Sequence, residues 1–372
     1  MVGRRFERAL AAALGAFALG TGAAVAADPF ELEWTKLADG VYAGVRPVSY
    51  RSPPTGSTII VIGDKGVLLF DPAGAALQGE RVAAKVAELT DLPVTHMAIS
   101  HWHGDHSLGA YKVLENYPGA EVITHEFTAR ALKSPLNAFT PPDEETNRQT
   151  RTRIETALAA GRRSNGDPVT PGMRAYYEDV LNYFDLINAE QRRFKVAEPT
   201  KTFTDEMTID LGGRKAVLKH LGPANTNGDI VLHLPKEKIV ATGDIVVRPT
   251  PYGFFSHPRS WVAVLRKLKA MGARTIVPGH GEIMTDTAYL DLLGETLSFV
   301  ADEVDRLAAE GKSQEEVRAA LDWTKIEKKM TGGDPTLAIF FDGWFKTPIV
   351  EAEYKIATGK DSEDLNPPPP SN

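Results

Sequence analysis

Six consecutive residues, His101-Trp102-His103-Gly104-Asp105-His106, put three imidazoles and a carboxylate into one short stretch. Such nitrogen and oxygen donors bind a divalent metal at about 2.0 to 2.2 Å, and a loop leaving a strand turns alternate side chains toward different centres. Two ions can share one loop of this kind. A polar surface turn accounts poorly for so many donors with Trp102 among them. The chain has no Cys, which excludes thiolate ligands, thiol nucleophiles and disulfides. It also lacks a G-x-S-x-G nucleophile elbow and a glycine-rich phosphate loop. Hydrolysis by a metal-activated hydroxide is therefore the leading chemistry, since a bound metal pulls the pKa of water from about 15.7 toward about 7 without a dedicated side-chain base.

Such a loop needs a rigid strand to carry it. Residues 94–99 read as a buried strand ending directly before the donors, and residues 41–45, 57–62 and 67–70 read as successive antiparallel strands with Gly63-Asp64-Lys65-Gly66 as a tight connection. Helical spacing appears at Val82, Val86 and Leu89, and again over 107–114, before a strand at 120–124. From 134 to 199 strand signals give way to charged helical sequence, which reads as a helical insertion. Tyr176, Val180, Tyr183 and Ile187 share one of its faces, as packing surface. Strands return at 206–211, 215–221, 229–234, 239–242 and 275–277. Ser260 is placed to cap a helix carrying Val262, Leu265 and Leu268, residues 290–307 form a long amphipathic helix, and Ser313 with Glu316 makes a capping box.

Composition sets the class. The chain has 372 residues, 42% hydrophobic and 24% charged, enough for one large domain or two ordinary ones, and this usage excludes a disordered, collagenous or coiled-coil chain over most of its length. Its 42 basic against 49 acidic residues give a net charge of −7, too acidic for nucleic acid as main ligand. Arg4, Arg5 and Arg8 precede a weakly apolar run, and Ala24-Val25-Ala26 follows at the spacing of a signal-peptidase site, so residues 1–27 read as an export signal of Sec or twin-arginine type. The run is too short and too rich in Ala and Gly to anchor the chain in a bilayer. Losing it removes three Arg and one Glu, leaving 39 basic and 48 acidic residues, a charge of −9. The main domain then spans 28–360, and the tail 361–372, with four consecutive prolines, is expected to be disordered.

The H-x-H-x-D-H motif at His101–His106, Thr242-Gly243-Asp244 ending one strand and Pro278-Gly279-His280-Gly281 ending another resemble the metallo-β-lactamase-fold superfamily of hydrolases over residues 41–281. The resemblance implies an α/β fold, an αββα four-layer sandwich, with a dinuclear zinc site along one edge of its sheets. Carried over by residue, it assigns His101 and His103 to a first ion, Asp105, His106 and His280 to a second, and Asp244 as the bridge. A bridging carboxylate neutralises two cations and fixes them roughly 3.5 to 4 Å apart. Asp105 and Asp244 are the candidates for orienting or relaying a proton.

The chain departs from that pattern in Leu221-Gly222-Pro223-Ala224-Asn225-Thr226-Asn227-Gly228-Asp229, where Asn225 stands at the place of the third His of the first site. An amide oxygen is a weaker zinc donor than imidazole, so one or two ions are expected with the second site the more secure. His220 is the alternative donor; His125 and His257 are candidates for the pocket wall. The expected function is a periplasmic or secreted hydrolase attacking a carbonyl, phosphoryl or sulfuryl centre in a small molecule: an ester, lactone, thioester, lactam or phosphodiester. The acidic bridge at Asp244 weighs against lactams as main substrate. The alternative is a metal-poor binding protein disabled at the first site by Asn225. The insertion and the aromatic stretch 340–345 are candidate pocket walls, with core packing the simpler role for the aromatics.

Overall fold

The computed structural model describes residues 28–46, 54–134 and 141–363, so the expected export signal and residues 364–372 of the expected tail lie outside it. Seven strands, β1 (Glu33–Ala38), β2 (Val41–Val45), β3 (Thr58–Ile62), β4 (Val67–Phe70), β5 (Val94–Ala98), β6 (Glu121–His125) and β7 (Lys201–Phe203), form one sheet in chain order. The first four pair antiparallel; β4 to β7 run parallel and need crossovers. Helices Ala76–Leu89 and Ala110–Asn116 lie within the first two crossovers. A second sheet holds β8 (Glu206–Asp210), β9 (Lys215–His220), β10 (Ile230–Leu234), β11 (Ile239–Ala241) and β12 (Thr275–Val277) in the order β12-β11-β10-β9-β8, with only β11 and β12 parallel.

Both faces of the central strands are covered, which is why β3 and β4 read as unbroken apolar runs instead of alternating. Between the sheets, Ile59, Leu68 and Phe70 meet Leu218, Ile230 and Leu232. On the outer face of the first sheet, Leu69, Met97 and Val122 pack against Val82, Val86 and Val113 of its helices. On the outer face of the second, Val231, Val240 and Ile276 pack against Trp261, Leu265, Leu293 and Val300 of helices Pro258–Ala270 and Ala288–Ala309. The result is the four-layer αββα sandwich expected from the sequence.

Helix Pro258–Ala270 begins differently from the sequence reading. Its cap position is His257, with Pro258 preset for the first turn, so Ser260 lies inside the helix. The capping box of Ser313 and Glu316 is present, with both reciprocal hydrogen bonds formed, at 2.8 and 3.3 Å. Between β6 and β7 the insertion forms helices Glu144–Ala160, Pro171–Asn182 and Phe184–Gln191. Tyr176 packs edge-on against Phe340, ring centres 5.5 Å apart, while Phe341 and Phe345 are fully buried. The expectation of a disordered tail from 361 is corrected at its start: Ser362 and Glu363 are both 2% exposed, because a buried indole and backbone groups hydrogen-bond them.

Glu353, on helix Thr347–Ala357, is a buried acid whose pKa rises to about 7, through burial first and then the negative charge of Asp305, with Arg259 offsetting part. A folded pKa above the unfolded value of about 4.3 means that the native state holds this proton longer. Its stability contribution is full below about pH 4.3 and is lost as pH rises through 7. Glu353→Gln should therefore gain stability over the parent progressively across that interval and level off above it, read from urea midpoints at several pH values; a difference independent of pH would contradict this.

Candidate metal centre

Strand ends put the donors together. β5 delivers His101 three residues beyond Ala98, β11 delivers Asp244 three residues beyond Ala241, and β12 delivers His280 three residues beyond Val277. β11 and β12 are parallel, so their two donors leave the same edge of the sheet. Glycines permit the close approach. Gly243 has φ +50°, and a side chain there would collide with Ser100; a Cβ on Gly279 would lie 2.1 Å from Asp244 Oδ1.

Two groups of donors form within this cluster, His101–His106–Asp244 and Asp105–His106–His280, each with its donor atoms within 4.8 Å of one another. In the second, His280 Nε2 lies 2.9 Å from Asp105 Oδ2 and 3.1 Å from His106 Nε2, while His106 Nε2 is 3.7 Å from Asp105 Oδ2. Tetrahedral ligands at zinc bond lengths stand roughly 3.3 Å apart, so these atoms fit one ion. Asp244 reaches both groups: Oδ2 is 3.6 Å from His101 Nε2, and Oδ1 is 3.1 Å from His106 Nε2 and 3.4 Å from His280 Nε2. His103 stands beside His101, ring centres 4.5 Å apart, but outside both tight groups.

Several of these atoms are buried with no hydrogen-bond partner: His101 Nε2, both oxygens of Asp244 and Asn225 Oδ1. Unsatisfied buried polar atoms are rare in proteins, and here they are donors in metal-site chemistry. Asn225 donates its amide N–H to the Tyr252 carbonyl at 2.9 Å, and its buried oxygen has no hydrogen-bond partner. His220 instead meets the Asp229 carbonyl through Nδ1 at 2.8 Å and stacks on His125 at 4.2 Å; neither belongs to the donor groups. His257 contacts Ser362 Oγ at 3.0 Å.

The electrostatics keep the carboxylates charged. Burial pushes Asp244 upward, but His106, His280 and His101 outweigh it and hold the group well below the usual carboxylate range. Asp105 is depressed in the same way, by His106 and the hydrogen bond from His280 against burial. His106 is raised despite burial because Asp244, Asp105 and Asp71 surround it. His103 falls to about 3, chiefly by burial and then by the charge of His101, which leaves it neutral as a ligand must be.

Three supporting residues were missed by the sequence reading. Asp71 ends β4 with φ +52°; its Oδ2 lies 2.9 Å from His106 Nδ1 and its Oδ1 accepts from Ser100 N at 2.6 Å, so it fixes the ring that presents Nε2. Ser100 Oγ does the same for His101 through Nδ1 at 2.8 Å. Tyr252 packs edge-on against His280 with ring centres 5.1 Å apart, and its buried hydroxyl has no hydrogen-bond partner. Burial first, then the charges of Asp105 and Asp244, keep that phenol protonated. A strand-end Asp before Pro was a signal for the first; nothing local marked Tyr252.

Gly279→Ala places a methyl against Asp244 Oδ1 and the Gly243 backbone, so the Asp244 carboxylate must shift. Metal content should fall with the far-ultraviolet spectrum unchanged, measured by elemental analysis after dialysis; full metal retention would refute the crowding argument.

Comparison with known proteins agrees with this geometry. The sequence profile of the Metallo-beta-lactamase superfamily matches residues 52–280. A linear primary-alkylsulfatase of Pseudomonas sp. (strain ATCC 19151) is 22% identical over 333 residues, 82% of this chain and 57% of that protein. A type 2 metallo-beta-lactamase of Bacteroides fragilis is 34% identical over 90 residues, 23% of this chain and 36% of that protein. The chain thus spans little more than half the length of the first of these relatives and about a third of the second. Among solved structures, a stereoselective inverting sec-alkylsulfatase from Pseudomonas sp. superposes with a TM-score of 0.60 at 13% identity, covering 91% of this chain and 52% of that one. With the profile matched over more than half its length, the chain belongs to the metallo-beta-lactamase superfamily.

Proposed function

We propose that this protein is a metal-dependent hydrolase of small organic sulfate esters, releasing an alcohol and inorganic sulfate. The observation that carries the reading is the pair of donor groups that share His106 and both lie within reach of Asp244, in a chain whose likeness to an alkylsulfatase runs along 82% of its length. That likeness extends the sulfuryl option of the sequence reading over ester, lactone, thioester, lactam and phosphodiester.

Asp105, His106 and His280 would hold one ion, and His101, His103 and Asn225 a second, with Asp244 between them. A bound divalent metal such as zinc supplies Lewis acidity, which lowers the pKa of water toward about 7 and offsets charge on the ester oxygens. The chain's own residues set the geometry. Asp71 and Ser100 hold His106 and His101 in place, and the protonated Tyr252 hydroxyl offers a hydrogen-bond donor beside the acidic cluster. Of the two carboxylates expected to manage protons, Asp244 has no exposed side-chain surface whereas Asp105 keeps 19%. On our reading this difference favours Asp105 as the group that would pass a proton to solvent, with Asp244 as the fixed bridge. Export to the periplasm or beyond, supported by residues 1–27 alone, belongs to the same proposal, as does a small-molecule partner in place of nucleic acid. No helix among the described residues is long and apolar enough to cross a membrane.

Protein purified without added metal should release sulfate from alkyl sulfates, lose this on chelation and regain it with zinc. His280→Ala should lose metal and reduce turnover by more than about a hundredfold, beyond the cost of losing an outer-shell partner. Turnover or ligand binding that survives chelation would instead favour the metal-poor binding protein that Asn225 makes thinkable, and a preference for lactams or lactones would overturn the substrate class.

Asn225→His tests the first half-site. One ring nitrogen can keep the hydrogen bond to the Tyr252 carbonyl while the other faces the ion, so metal content should rise toward two per chain, with unchanged stoichiometry the contrary result.

A further inference from the structure

The expected tail contributes a buried carboxylate to the back of the metal loops. Trp102 Nε1 donates to Glu363 Oε1 at 2.6 Å, and the backbone N–H of Asn227 donates to Glu363 Oε2. His257 Nε2 stands 3.5 Å from Oε2 and 3.0 Å from Ser362 Oγ, whose hydroxyl donates to the Phe255 carbonyl at 2.9 Å. Trp102 itself packs on Phe255, ring centres 5.5 Å apart. Glu363 is thus a desolvated carboxylate held by donors from separate parts of the chain, and such a group persists only where its partners are fixed.

The placement of those partners gives the contact meaning. Trp102 lies between His101 and His103, and Asn227 lies two residues beyond Asn225. One carboxylate therefore ties together the two loops that carry the donors assigned to the first ion. The second ion's donors have a different support, Asp71 on His106. Indole nitrogen is a donor only, so Trp102 has no second way to satisfy this bond within a dry pocket. Glu363 also lies well past residue 280, where the family match ends.

We propose that Glu363 is a positioning residue for the first metal half-site, and that segment 361–363 clamps the His101–His103 loop to the Asn225 loop. The metal consequence rests on the reading of this centre as a metal site; the clamp itself does not. In metal-free protein, hydrogen exchange should quicken about tenfold in peptides covering 99–103 and 223–229 in Glu363→Ala, with β3 and β4 unchanged. Trp102→Phe should quicken only the first of these, and the double variant should behave as Glu363→Ala alone, since one link joins both residues. Glu363→Gln, which keeps an acceptor for Trp102, should recover part of the protection. On titration with zinc, Glu363→Ala should weaken uptake of one ion by up to about tenfold, the lower end of what a partner bonded directly to a ligand costs, and leave the other as in the parent. Unchanged exchange at both loops, an additive double variant, or equal weakening of both ions overturns the proposal. A parent protein that takes up no ion removes the metal reading, while the exchange result still decides the clamp.

Discussion

Asp244 is a carboxylate without exposed surface, and three imidazole nitrogens lie within 3.1 to 3.6 Å of its two oxygens. A charge this deeply desolvated persists only when positive charge is brought to it. The surrounding structure follows from that requirement. Parallel β11 and β12 send Asp244 and His280 out from one edge, and neighbouring glycines let the backbone of one loop touch the carboxylate of the other. The sandwich supplies the rigidity: donors held at strand ends cannot relax away from one another without disturbing cores packed on both faces of each sheet.

The two halves of the centre are supported unequally. Asp105, His106 and His280 form a close set with Asp71 holding the middle ring. On the other side, His103 stands outside the tight group, and the donor proposed to complete the set, the neutral amide of Asn225, is anchored through its N–H to the Tyr252 carbonyl. Charge balance gives the same asymmetry, because beside Asp244 the second set has the carboxylate of Asp105 whereas the first has neutral donors alone. The half built from weaker donors is also the one braced from behind by Glu363.

Much of this was legible in the sequence because it is local. Six adjacent residues announce a donor loop, and the apolar runs that carry it are short, dense and separated by turn residues. The layer arrangement came with the family resemblance, which rests on three segments and their order. What sequence could not show was contact between distant parts: Asp71 gains its role only when β4 lies beside β5, and Tyr252 becomes a neighbour of His280 only through tertiary packing. Proline composition misled at the start of the C-terminal tail, since it gave no sign that Ser362 and Glu363, ahead of the prolines, are buried. Ser260 likewise looked like a cap until the preset φ of Pro258 started the helix earlier.

The donors stretch from residue 101 to residue 280 and belong to both sheets, so the two groups are complete together only once His280 has been made. Closing so long a loop is an entropic cost met only when the sheets dock, and ion capture is therefore a late event that reports a finished fold. If the export proposed from residues 1–27 follows a Sec-type route, which passes unfolded chains, the ion would be acquired after passage. The identity of the resident metal would then be chosen by whichever cations the receiving compartment supplies.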